Sequence, residues 1–483
     1  MMILKDVLKG IEYKIIQGCI DTEFREIQYD SRKVEKNDIF IAVQGFNVDG
    51  NTYIPSAIKN GANVIITDED IQRIDDEVTL IKVNNTRKVM ARIASNFYGN
   101  PSEKLKIIGI TGTNGKTTTS YYLKNILENS GYKVGLIGTI ANYINNIKIE
   151  SSRTTPESLD LQKLFYEMVK AKTDYCIMEV SSHSIALDRI LHTKFDIALF
   201  TNLTHEHLDF HKSMVNYYET KFKLLKNSKY AIINNDCYFA EMLKRDLDEN
   251  NIEYCTFGIN NKSNIKINPN EIDYKSYKFK IDGSEFSYHI PGEYNIYNSL
   301  GAIAIAKLIG LSYSTIANNM TLKYVPGRFE RMKNDFNLPF EVVIDFAHTP
   351  DGLKNLLTSV RNENTNKIIA VYGCGGDKDK SKRAKLGEVG SKYSDIVIVT
   401  SDNPREEEPM NIINDISKGL QGSDYFIIEN RKDAIKKAIE IARPGDTIVL
   451  AGKGHETYQI NKDGVIPFNE KEIVLDLIKE KMS

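Results

Sequence analysis

The stretch KLKIIGITGTNGKTTTSYYLKNIL, residues 104–127, runs from an apolar strand-like segment through a glycine-rich loop into a helix-like segment. This order is typical of a P-loop, in which backbone N–H groups turn towards phosphate oxygens and the helix N-terminus adds partial positive charge. Lys116 would neutralise the β and γ phosphates, and the Thr117 hydroxyl would reach a Mg²⁺ ion. The general pattern has glycine where this chain has Ile110, and an ordinary β–α turn is the alternative. The strand, the GKT triplet and the helix together favour a nucleotide site.

Strands alternate with helices on both sides of this loop. The strand-like segments are DIFIAV, ANVIIT, YKVGLIGT, DYCIMEV and FDIALFTN, then, beyond residue 333, EVVIDFA, KIIAVYG, DIVIVTS, YFIIE and DTIVLAG. Such alternation predicts parallel sheets covered by helices on both faces. We therefore predict an α/β protein with three domains at residues 1–98, 99–332 and 333–483. The central one is a P-loop ATPase-type mononucleotide-binding domain, and the C-terminal one is Rossmann-like.

Composition excludes several classes of protein. Apolar residues make up 41% and charged residues 27%, as in soluble globular proteins. The formal net charge of −2 gives no broad attraction for nucleic acid or an anionic membrane. The N-terminus lacks a signal-peptide pattern, and no apolar run is long enough to span a bilayer. The five cysteines (Cys19, Cys176, Cys237, Cys255, Cys374) form no CxxC pair, which indicates free thiols. We expect a cytoplasmic protein without nucleic-acid partners or membrane insertion.

The loop alone leaves the kind of nucleotide enzyme open. A GTPase needs an NKxD motif, and NKSN at residues 261–264 lacks the aspartate, whereas a small-molecule kinase remains an alternative. Two further strands lead into candidate metal ligands, because Glu179 ends one and His207 follows another in ALFTNLTHEHLDFH. A carboxylate and an imidazole at the carboxyl edge of a sheet suit Mg²⁺. The alternative for each histidine in this region is a helix cap or a surface side chain.

Further motifs follow one another along nearly the whole chain. They are YDSRKVEKNDIFIAVQGFNVDGNTYI, GITGTNGKTTT, MEVSSH, TNLTHEHLDFH, YYETKFKLL, PGEYNIYN, IDFAHTPDGL, SDNPREEEP and AGKGHETYQ. In this order they resemble the Mur ligases, the ATP-dependent amide-forming enzymes of peptidoglycan synthesis. The P-loop of that family reads TGTNGKT, which accounts for Ile110.

The resemblance implies an ATP- and Mg²⁺-dependent ligase that adds meso-diaminopimelate to the D-glutamate side-chain carboxylate of UDP-MurNAc-L-Ala-D-Glu. In this chemistry ATP converts the carboxylate into an acyl phosphate, which the incoming amine attacks. No nucleophilic side chain is needed, so positioning and cation electrostatics carry the rate. The three domains would bind the UDP-sugar, ATP and the amino acid in turn, and we expect a monomer.

For ATP, the resemblance implies the P-loop together with residues of three later motifs. These residues are Gly112, Thr113, Asn114, Gly115, Lys116, Thr117, Thr118, Asn295, Asn298, Arg328 and Asp345. An arginine can compensate phosphate charge, and an aspartate can accept hydrogen bonds from ribose hydroxyls. The alternative for Asn298 is a cap at the start of a helix.

For the UDP-sugar dipeptide, the resemblance implies residues of the first two domains. These are Ser31, the loop at residues 45–51, Thr154, Thr155, Ser181, Arg189 and Lys221. Lys221 matches a lysine that the family carbamoylates, and a carbamate is an anionic oxygen ligand for Mg²⁺. Without the resemblance, Lys221 would be interpreted as a solvated helix lysine. Leu187 replaces a glutamine of some relatives, and Arg32 is equally compatible with a surface turn.

The resemblance also implies a catalytic and a metal-binding set. The catalytic residues would be Lys116, Glu179, His207 and Lys221, and the metal ligands Thr117, Glu179, His207 and carbamoylated Lys221.

The third domain would select the amino acid, since three of its strands end in the polar loops GCGGDKDK, SDNPREEEP and GKGHETY. The implied residues are Lys378, Asp402, Asn403, Pro404, Arg405, Gly452 and Glu456. Arg405 offers a fork for a distal carboxylate, and Glu456 with Asp402 offers acceptors for an ammonium. DNPR is typical of the diaminopimelate-adding members. Lys378 replaces an arginine common in relatives, which leaves meso-lanthionine and L-lysine as alternatives.

Two other functions stay open. A folylpolyglutamate synthetase-like ligase would share the P-loop and the acyl phosphate but would not need the first domain. A non-enzymatic P-loop regulator would also bind ATP, but it would show no release of ADP that depends on the presence of both other substrates.

Overall fold

The computed structural model describes residues 2–45, 48–332, 338–422 and 424–482. The chain divides into two compact units, Met1–Thr111 with Gly131–Ala198 and Thr220–Ala231, and Gly112–Ser130 with Leu199–Glu219 and Ile232–Ser483. Residues 46 and 47 of the 45–51 loop lie outside the described residues, as does the domain boundary predicted at residue 333. All five cysteines are free, as expected. In the described ranges, no helix has both the length and the apolar character needed to cross a membrane.

The first part of the chain forms a sheet that is covered on both faces. Its elements are β1 (Met2–Ile3), α1 (Leu4–Val7), β2 (Tyr13–Gln17), β3 (Glu23–Phe24), β4 (Ile27–Gln28), β5 (Asp38–Ile41), α2 (Ile54–Lys59), β6 (Ala62–Thr67), β7 (Thr79–Val83), α3 (Thr86–Phe97) and β8 (Lys106–Thr111). The sheet order is β2-β7-β6-β5-β4, with only β2 antiparallel to its neighbour. Successive strand residues point to opposite faces. Ile39 and Ile41 therefore pack with α1 and α3, whereas Phe40 packs with α2.

The middle part continues the alternation that surrounds the P-loop. Its elements are α4 (Lys116–Asn129), β9 (Val134–Ile137), β10 (Asn142–Ile144), β11 (Ile147–Ile149), α5 (Ser158–Lys170), β12 (Tyr175–Glu179), α6 (Ser182–Ala186), β13 (Phe195–Phe200), α7 (Leu208–His211), α8 (Met214–Lys226), β14 (Ser228–Asn234), α9 (Ala240–Glu249), β15 (Glu253–Gly258), β16 (Ile265–Lys266), β17 (Ile272–Asp273), β18 (Lys278–Ile281), β19 (Ser284–Ser287), α10 (Glu293–Leu308), α11 (Tyr313–Asn319) and β20 (Glu330–Arg331). In the first unit, β12 pairs in parallel with both β8 and β9, so their carboxyl ends meet at one edge. In the second unit, α10 packs against α4.

The third part is a doubly wound sheet, as predicted. Its elements are β21 (Glu341–Asp345), α12 (Pro350–Glu363), β22 (Ile368–Tyr372), α13 (Lys382–Tyr393), β23 (Ile396–Val399), α14 (Pro409–Ser417), β24 (Asp424–Ile427), α15 (Arg431–Ile441), β25 (Thr447–Ala451), β26 (Tyr458–Asn461), β27 (Gly464–Pro467) and α16 (Glu470–Met482). The order is β20-β21-β25-β22-β23-β24, and only β20 is antiparallel to its neighbour. The loops after β22, β23 and β25 leave the sheet at its carboxyl edge, where ligands of such sheets bind.

Several antiparallel elements were not predicted from the sequence. They are the pair β10–β11, the sheet β17-β18-β19 and the hairpin β26–β27. Each of their strands is two to four residues long, which is too short to show a clear alternation of apolar and polar residues.

Candidate active site

The P-loop is held by backbone and side-chain hydrogen bonds to the segment that follows β13. Thr113 N donates to Asn202 O at 2.9 Å, and Asn114 N donates to Asn202 Oδ1 at 2.9 Å. In return, Thr201 Oγ1 donates to Asn114 O at 2.7 Å. These hydrogen bonds between the P-loop and residues 201–202 therefore fix the conformation of the loop.

The asparagines of α10 lie against the P-loop. Gly115 has φ of 87°, and a Cβ there would lie 2.2 Å from Asn298 Oδ1, so only glycine fits. Asn298 Nδ2 donates to Asn295 Oδ1 at 2.9 Å, and Asn295 Nδ2 donates to Pro291 O at 2.7 Å. The N-cap of α10 is Gly292, so the helix-cap alternative for Asn298 is wrong. Its place in the helix packs it against the phosphate loop.

Two cations flank the start of α4. Lys116 Nζ donates to Gly112 O at 2.9 Å and to Thr113 O at 2.8 Å. Arg328 Nη2 donates to the hydroxyl of Thr117 at 3.3 Å. Thr117 and its neighbour Thr118 are both buried. A lysine and an arginine that both contact one glycine-rich loop and the start of its helix suit a polyphosphate.

Asp345 fixes the backbone next to this arginine. Its Oδ2 accepts from Phe329 N at 2.6 Å, and its Oδ1 accepts from Ala347 N at 2.7 Å. Burial raises the pKa of Asp345, while the Arg328 guanidinium and the two backbone donors act against that rise. The carboxylate thus joins the end of β21 to the segment that carries Arg328. Its contact with a ribose stays a prediction.

In the first unit, Glu179 ends β12 as a fully buried carboxylate. Thr139 donates to it twice, from N to Oε1 at 3.1 Å and from Oγ1 to Oε2 at 2.8 Å. Thr139 Oγ1 also lies 3.0 Å from Thr154 Oγ1, and Thr155 Oγ1 donates to Glu179 O at 2.8 Å. The structure thus joins the candidate catalytic Glu179 to two candidate substrate-binding threonines.

Arg189 extends this cluster towards Ser181. Ser181 N donates to Thr155 Oγ1 at 3.1 Å, and Arg189 Nη1 donates to Thr155 O at 3.3 Å. Arg189 Nη2 pairs with Glu157 Oε1 at 2.9 Å. Burial lowers the pKa of Arg189, against the opposing charge of Glu157. The four predicted residues Thr154, Thr155, Ser181 and Arg189 therefore share one connected site.

The acidic centre of this cluster was not predicted from the sequence. Glu157 is buried and also pairs with Arg87 at 3.2 Å and with Arg153. Three guanidiniums on one carboxylate leave an excess of positive charge, which suits an anionic substrate. Both Arg153 and Glu157 precede the first residue of α5, so no helical spacing in the sequence indicated this pair.

Lys221 is not a solvated helix lysine. Lys221 on α8 is only 1% exposed, and its Nζ lies 3.5 Å from Thr111 Oγ1. The alternative interpretation from sequence alone is therefore wrong. Ser31 is buried as well, whereas the side chain of Arg32 is 86% exposed and pairs with Asp30 at 2.8 Å, as the surface interpretation predicted.

His207 and its neighbour Glu206 lie in the loop before α7. His207 has φ of 56° at the N-cap of α7 but makes no side-chain cap hydrogen bond. His348 Nε2 lies 3.0 Å from Glu206 Oε1, and His207 Nε2 lies 3.7 Å from Glu206 Oε2. Burial acts to raise the pKa of Glu206, but His348 and His207, with Lys382, hold it well below its usual range. No role was predicted for Glu206 or His348 from the sequence, although the motifs THEH and AHTP, which contain them, were both noted.

A Mg²⁺ site can be tested against these residues. The described ranges hold no cluster of three or more His, Cys, Asp or Glu that could hold a metal ion. Mg²⁺ bound with a nucleotide needs fewer protein ligands, because phosphate and water oxygens complete its shell. The buried Glu179 carboxylate and the Thr117 hydroxyl are oxygen donors of the required kind.

At the carboxyl edge of the third sheet, two cations form no ion pair with a carboxylate of the described residues. Arg405 has φ of 56°, and its Nη1 donates to Gly376 O at 2.9 Å and Asn403 O at 3.2 Å. Its Nε and Nη2, and Lys378 Nζ, make no hydrogen bond or ion pair within the described residues. Burial, then the charge of Arg405, lowers the pKa of Lys378. A Cβ at Gly376 would lie 1.9 Å from Pro404 O, so the two loops meet backbone to backbone.

Two acceptors lie at the same edge. Asp402 is buried, and its carboxylate makes no hydrogen bond in the described part of the chain. Glu456 Oε2 accepts from Asn403 Nδ2 and from Lys453 Nζ, each at 2.9 Å, whereas its Oε1 accepts from no described residue. Gly452 follows β25 directly, and its N–H donates to Asp345 O at 3.0 Å.

Tyr458 is the aromatic residue of this group. Burial raises its pKa, as do the charges of Glu456 and Asp402, while Arg405 acts in the opposite direction. The phenol therefore lies within electrostatic range of all three side chains. Tyr458 was not predicted from the sequence, because an aromatic residue in a short strand is common in any sheet.

Comparison with known proteins decides the family. Three family models match: the Mur ligase family catalytic domain at residues 23–98, the Mur ligase middle domain at residues 110–306, and the Mur ligase glutamate ligase domain at residues 327–454. A Clostridium perfringens protein, UDP-N-acetylmuramoyl-L-alanyl-D-glutamate--2,6-diaminopimelate ligase, is 49% identical over 485 residues, which cover 99% of this chain and 100% of that protein. The chain belongs to the Mur ligase family. It is therefore an ATP-dependent, amide-forming ligase, as the motifs predicted.

Solved structures agree with this membership. A UDP-N-acetylmuramoyl-L-alanyl-D-glutamate--2,6-diaminopimelate ligase matches with a TM-score of 0.66 and 27% identity, covering 100% of this Mur ligase and 99% of that chain. Folylpolyglutamate synthase of Mycobacterium tuberculosis, with ADP and AMPPCP, matches with a TM-score of 0.63 and 17% identity, covering 76% of this chain and 92% of that one. The second match shows a shared fold alone.

In this Mur ligase, a buried ion pair links the loop after β22 to the loop after β23. Arg383 is 1% exposed and donates to Glu407 from Nη2 at 2.8 Å and from Nη1 at 3.1 Å, and to Asp415 at 3.1 Å. Glu407 Oε1 also accepts from Asp377 N at 2.7 Å, in the loop that carries Lys378. The hydrogen bond from Arg383 lowers the pKa of Glu407 to about 2. This link was not visible in the sequence.

Glu407→Gln should destabilise the protein at neutral pH and much less in acid. The pKa of Glu407 in the folded protein lies below the ordinary value of 4.5. The ion pair therefore contributes fully to the free energy of unfolding above pH 4.5, and this contribution is lost as the pH falls towards 2. We expect a loss of about 2–3 kcal/mol at pH 7 that narrows as the pH falls through 4. Urea unfolding of wild type and variant at several pH values measures it. A difference that does not change with pH would contradict this origin.

Proposed function

We propose that this Mur ligase uses ATP to join meso-diaminopimelate to the D-glutamate side-chain carboxylate of UDP-MurNAc-L-Ala-D-Glu. The relative at 49% identity is named as a ligase of UDP-N-acetylmuramoyl-L-alanyl-D-glutamate and 2,6-diaminopimelate. The proposal extends that specificity to this chain and assigns roles to its residues.

The charge pattern at the carboxyl edge of the third sheet carries the proposal. Lys378 and the Nε and Nη2 of Arg405 are cations without a carboxylate from the described chain, beside the acceptors Asp402 and Glu456 Oε1. The distal end of meso-diaminopimelate bears one carboxylate and one ammonium, which such a set would satisfy. L-Lysine has the ammonium but not the distal carboxylate, so it would leave the two cations unpaired.

The phosphate end of the reaction would rest on the P-loop. Lys116 and Arg328 would compensate the charge that develops as the γ-phosphoryl group passes to the substrate carboxylate. Asn295 and Asn298, both on α10, would support the P-loop. Asp345 would hold the backbone next to Arg328, on the side of the site where the nucleotide would bind. Substrate activation then needs no nucleophilic side chain.

Mg²⁺ would bind at Thr117, Glu179, His207 and a carbamate on Lys221. The ion would neutralise phosphate and acyl-phosphate oxygens when it is bound. Burial of Lys221 beside Thr111 supports the carbamate, because an anionic oxygen group held at that buried position would serve as a ligand for the ion.

The peptide end of the UDP-sugar would lie along the first unit's cluster. Arg189 would pair with a substrate carboxylate, and the hydroxyls of Thr154 and Ser181 would donate hydrogen bonds to the substrate. Thr155, whose hydroxyl donates to Glu179 O and accepts from Ser181 N, would hold Ser181 in place. Ser31 and the 45–51 loop would bind the uridine diphosphate. Held in this way, the activated carboxylate would face the incoming amine, and proximity would supply much of the rate.

Arg405→Ala should lose most activity with meso-diaminopimelate and narrow the preference over L-lysine. Losing a desolvated, charge-assisted pair costs about 2–5 kcal/mol, roughly thirtyfold or more in kcat/KM. Lys378 bonds less directionally than an arginine, so wild type should also accept meso-lanthionine. The measurement is kcat/KM for the three amino acids with wild type and variant.

Lys462→Ala is the matched control, because it removes an exposed cation that pairs with Glu408 at 3.2 Å on the same part of the chain. It should leave all three values unchanged. Equal use of L-lysine and the two diacids by wild type would overturn the proposed specificity and leave the ligase class intact.

We further propose that the enzyme is a monomer and that it acts in the cytoplasm, where ATP and the UDP-linked substrate are available. Size-exclusion chromatography with light scattering tests the monomer. The two other functions make different predictions: a folylpolyglutamate synthetase would use a folate acceptor, and a regulator would release no ADP in response to both substrates.

A further inference from the structure

A fully buried lysine contacts two of the residues proposed to bind the amino acid. Lys453 is 0% exposed, and its Nζ donates to Asn403 Oδ1 at 3.0 Å and to Glu456 Oε2 at 2.9 Å. A buried ammonium is costly unless charge-paired and hydrogen-bonded, so this lysine depends on both partners and they depend on it.

The contacts of Lys453 define the orientation of the Glu456 carboxylate. Asn403 Nδ2 also donates to Glu456 Oε2, at 2.9 Å, so both donors use the same oxygen. Asn403 Oδ1 accepts in addition from Ile460 N at 2.9 Å, which fixes the asparagine to β26. Glu456 Oε1 receives no hydrogen bond from the described chain. One oxygen is thus occupied and the other is left for a ligand.

We propose that Lys453 is a positioning residue for amino-acid selection, which aims Glu456 Oε1 at the distal ammonium of the incoming diamino acid. This proposal rests on the proposed function and adds a residue that does not itself touch the substrate. Without Lys453, Glu456 loses its counter-ion and its fixed rotamer, and the ammonium loses a pre-oriented acceptor.

The test compares meso-diaminopimelate with 2-aminopimelate, the same diacid without the distal amine. Wild type should prefer meso-diaminopimelate by about thirtyfold in kcat/KM, since a buried charged pair depends on that amine. In Lys453→Met this preference should fall to about threefold or less, with KM for ATP and for the UDP-substrate unchanged. A partly misfolded preparation would lower both rates alike and leave the ratio in place.

The control Lys462→Met should retain the wild-type ratio. Glu456→Gln should lower the ratio as Lys453→Met does. The double variant Lys453→Met/Glu456→Gln should have a ratio no lower than that of the more affected single variant, because both substitutions act through one carboxylate. If Lys453→Met does not fold, Lys453→Gln, which keeps one amide donor without the charge, replaces it.

The outcomes separate the two proposals. Failure of wild type to ligate either amino acid would overturn the proposed function. A wild type that discriminates, together with a Lys453 variant that keeps or increases the ratio, would overturn the role of Lys453 alone.

Discussion

Lys116→Ala is expected to abolish ATP-dependent ligation. The variant removes the cation that would compensate the developing charge on the γ-phosphoryl group, and a loss of about 10²–10³-fold or more in kcat follows. It also removes two hydrogen bonds to the carbonyls of Gly112 and Thr113, which close the loop on itself. ADP release with both other substrates present measures the effect.

A lysine further along the same helix provides the control. Lys124 on α4 pairs with Glu128 at 2.7 Å, so Lys124→Ala removes a cation from the helix without touching the loop. It should keep near-normal turnover, and the thermal stability of both variants should be compared. Near-normal turnover in Lys116→Ala itself would contradict the P-loop assignment.

Lys221→Ala should lose most activity and recover part of it when a short carboxylate such as acetate or propionate is added. The carboxylate would supply the oxygen ligand that the carbamate provides. Because Lys221 is buried, the truncation also leaves a cavity, with a cost in stability of about 2–4 kcal/mol. Mass measurement of wild type in bicarbonate, under native conditions, should show the added carbamate.

The added carboxylate distinguishes chemistry from packing. Lys223→Ala, an exposed lysine on the same helix, should need no rescue. A Lys221→Ala protein that keeps full activity, or that stays inactive at every carboxylate concentration while folded, would count against the carbamate.

Local sequence patterns predicted the parts of the fold that repeat. The strands around Lys106–Thr111 and Tyr175–Glu179, and those of the third sheet, were confirmed because long apolar runs followed by polar turns have few alternative structures. Burial of Lys221 was not predicted, because a helix pattern does not reveal which neighbour covers a lysine. The alternative that placed Asn298 at the start of a helix was wrong, because the N-cap of α10 is Gly292, six residues earlier.

Long-range polar pairs were the least predictable features. Glu206 and His348 are 142 residues apart in sequence, and Lys453 and Asn403 are 50 apart. No periodicity connects such residues, since tertiary packing alone brings them together. The motifs indicated the right loops in both cases, but not the partner of each charge.

The close approach of Gly376 to Pro404 has a consequence for how specificity can evolve. Two loops that touch through their backbones form a frame with no room for an added side chain or a shifted turn. Preference for a new amino acid is then most accessible through single exchanges of inward-facing side chains on an unchanged frame. Lys378, on the loop after β22, is a position for one such exchange, and directed variation of this enzyme should begin there.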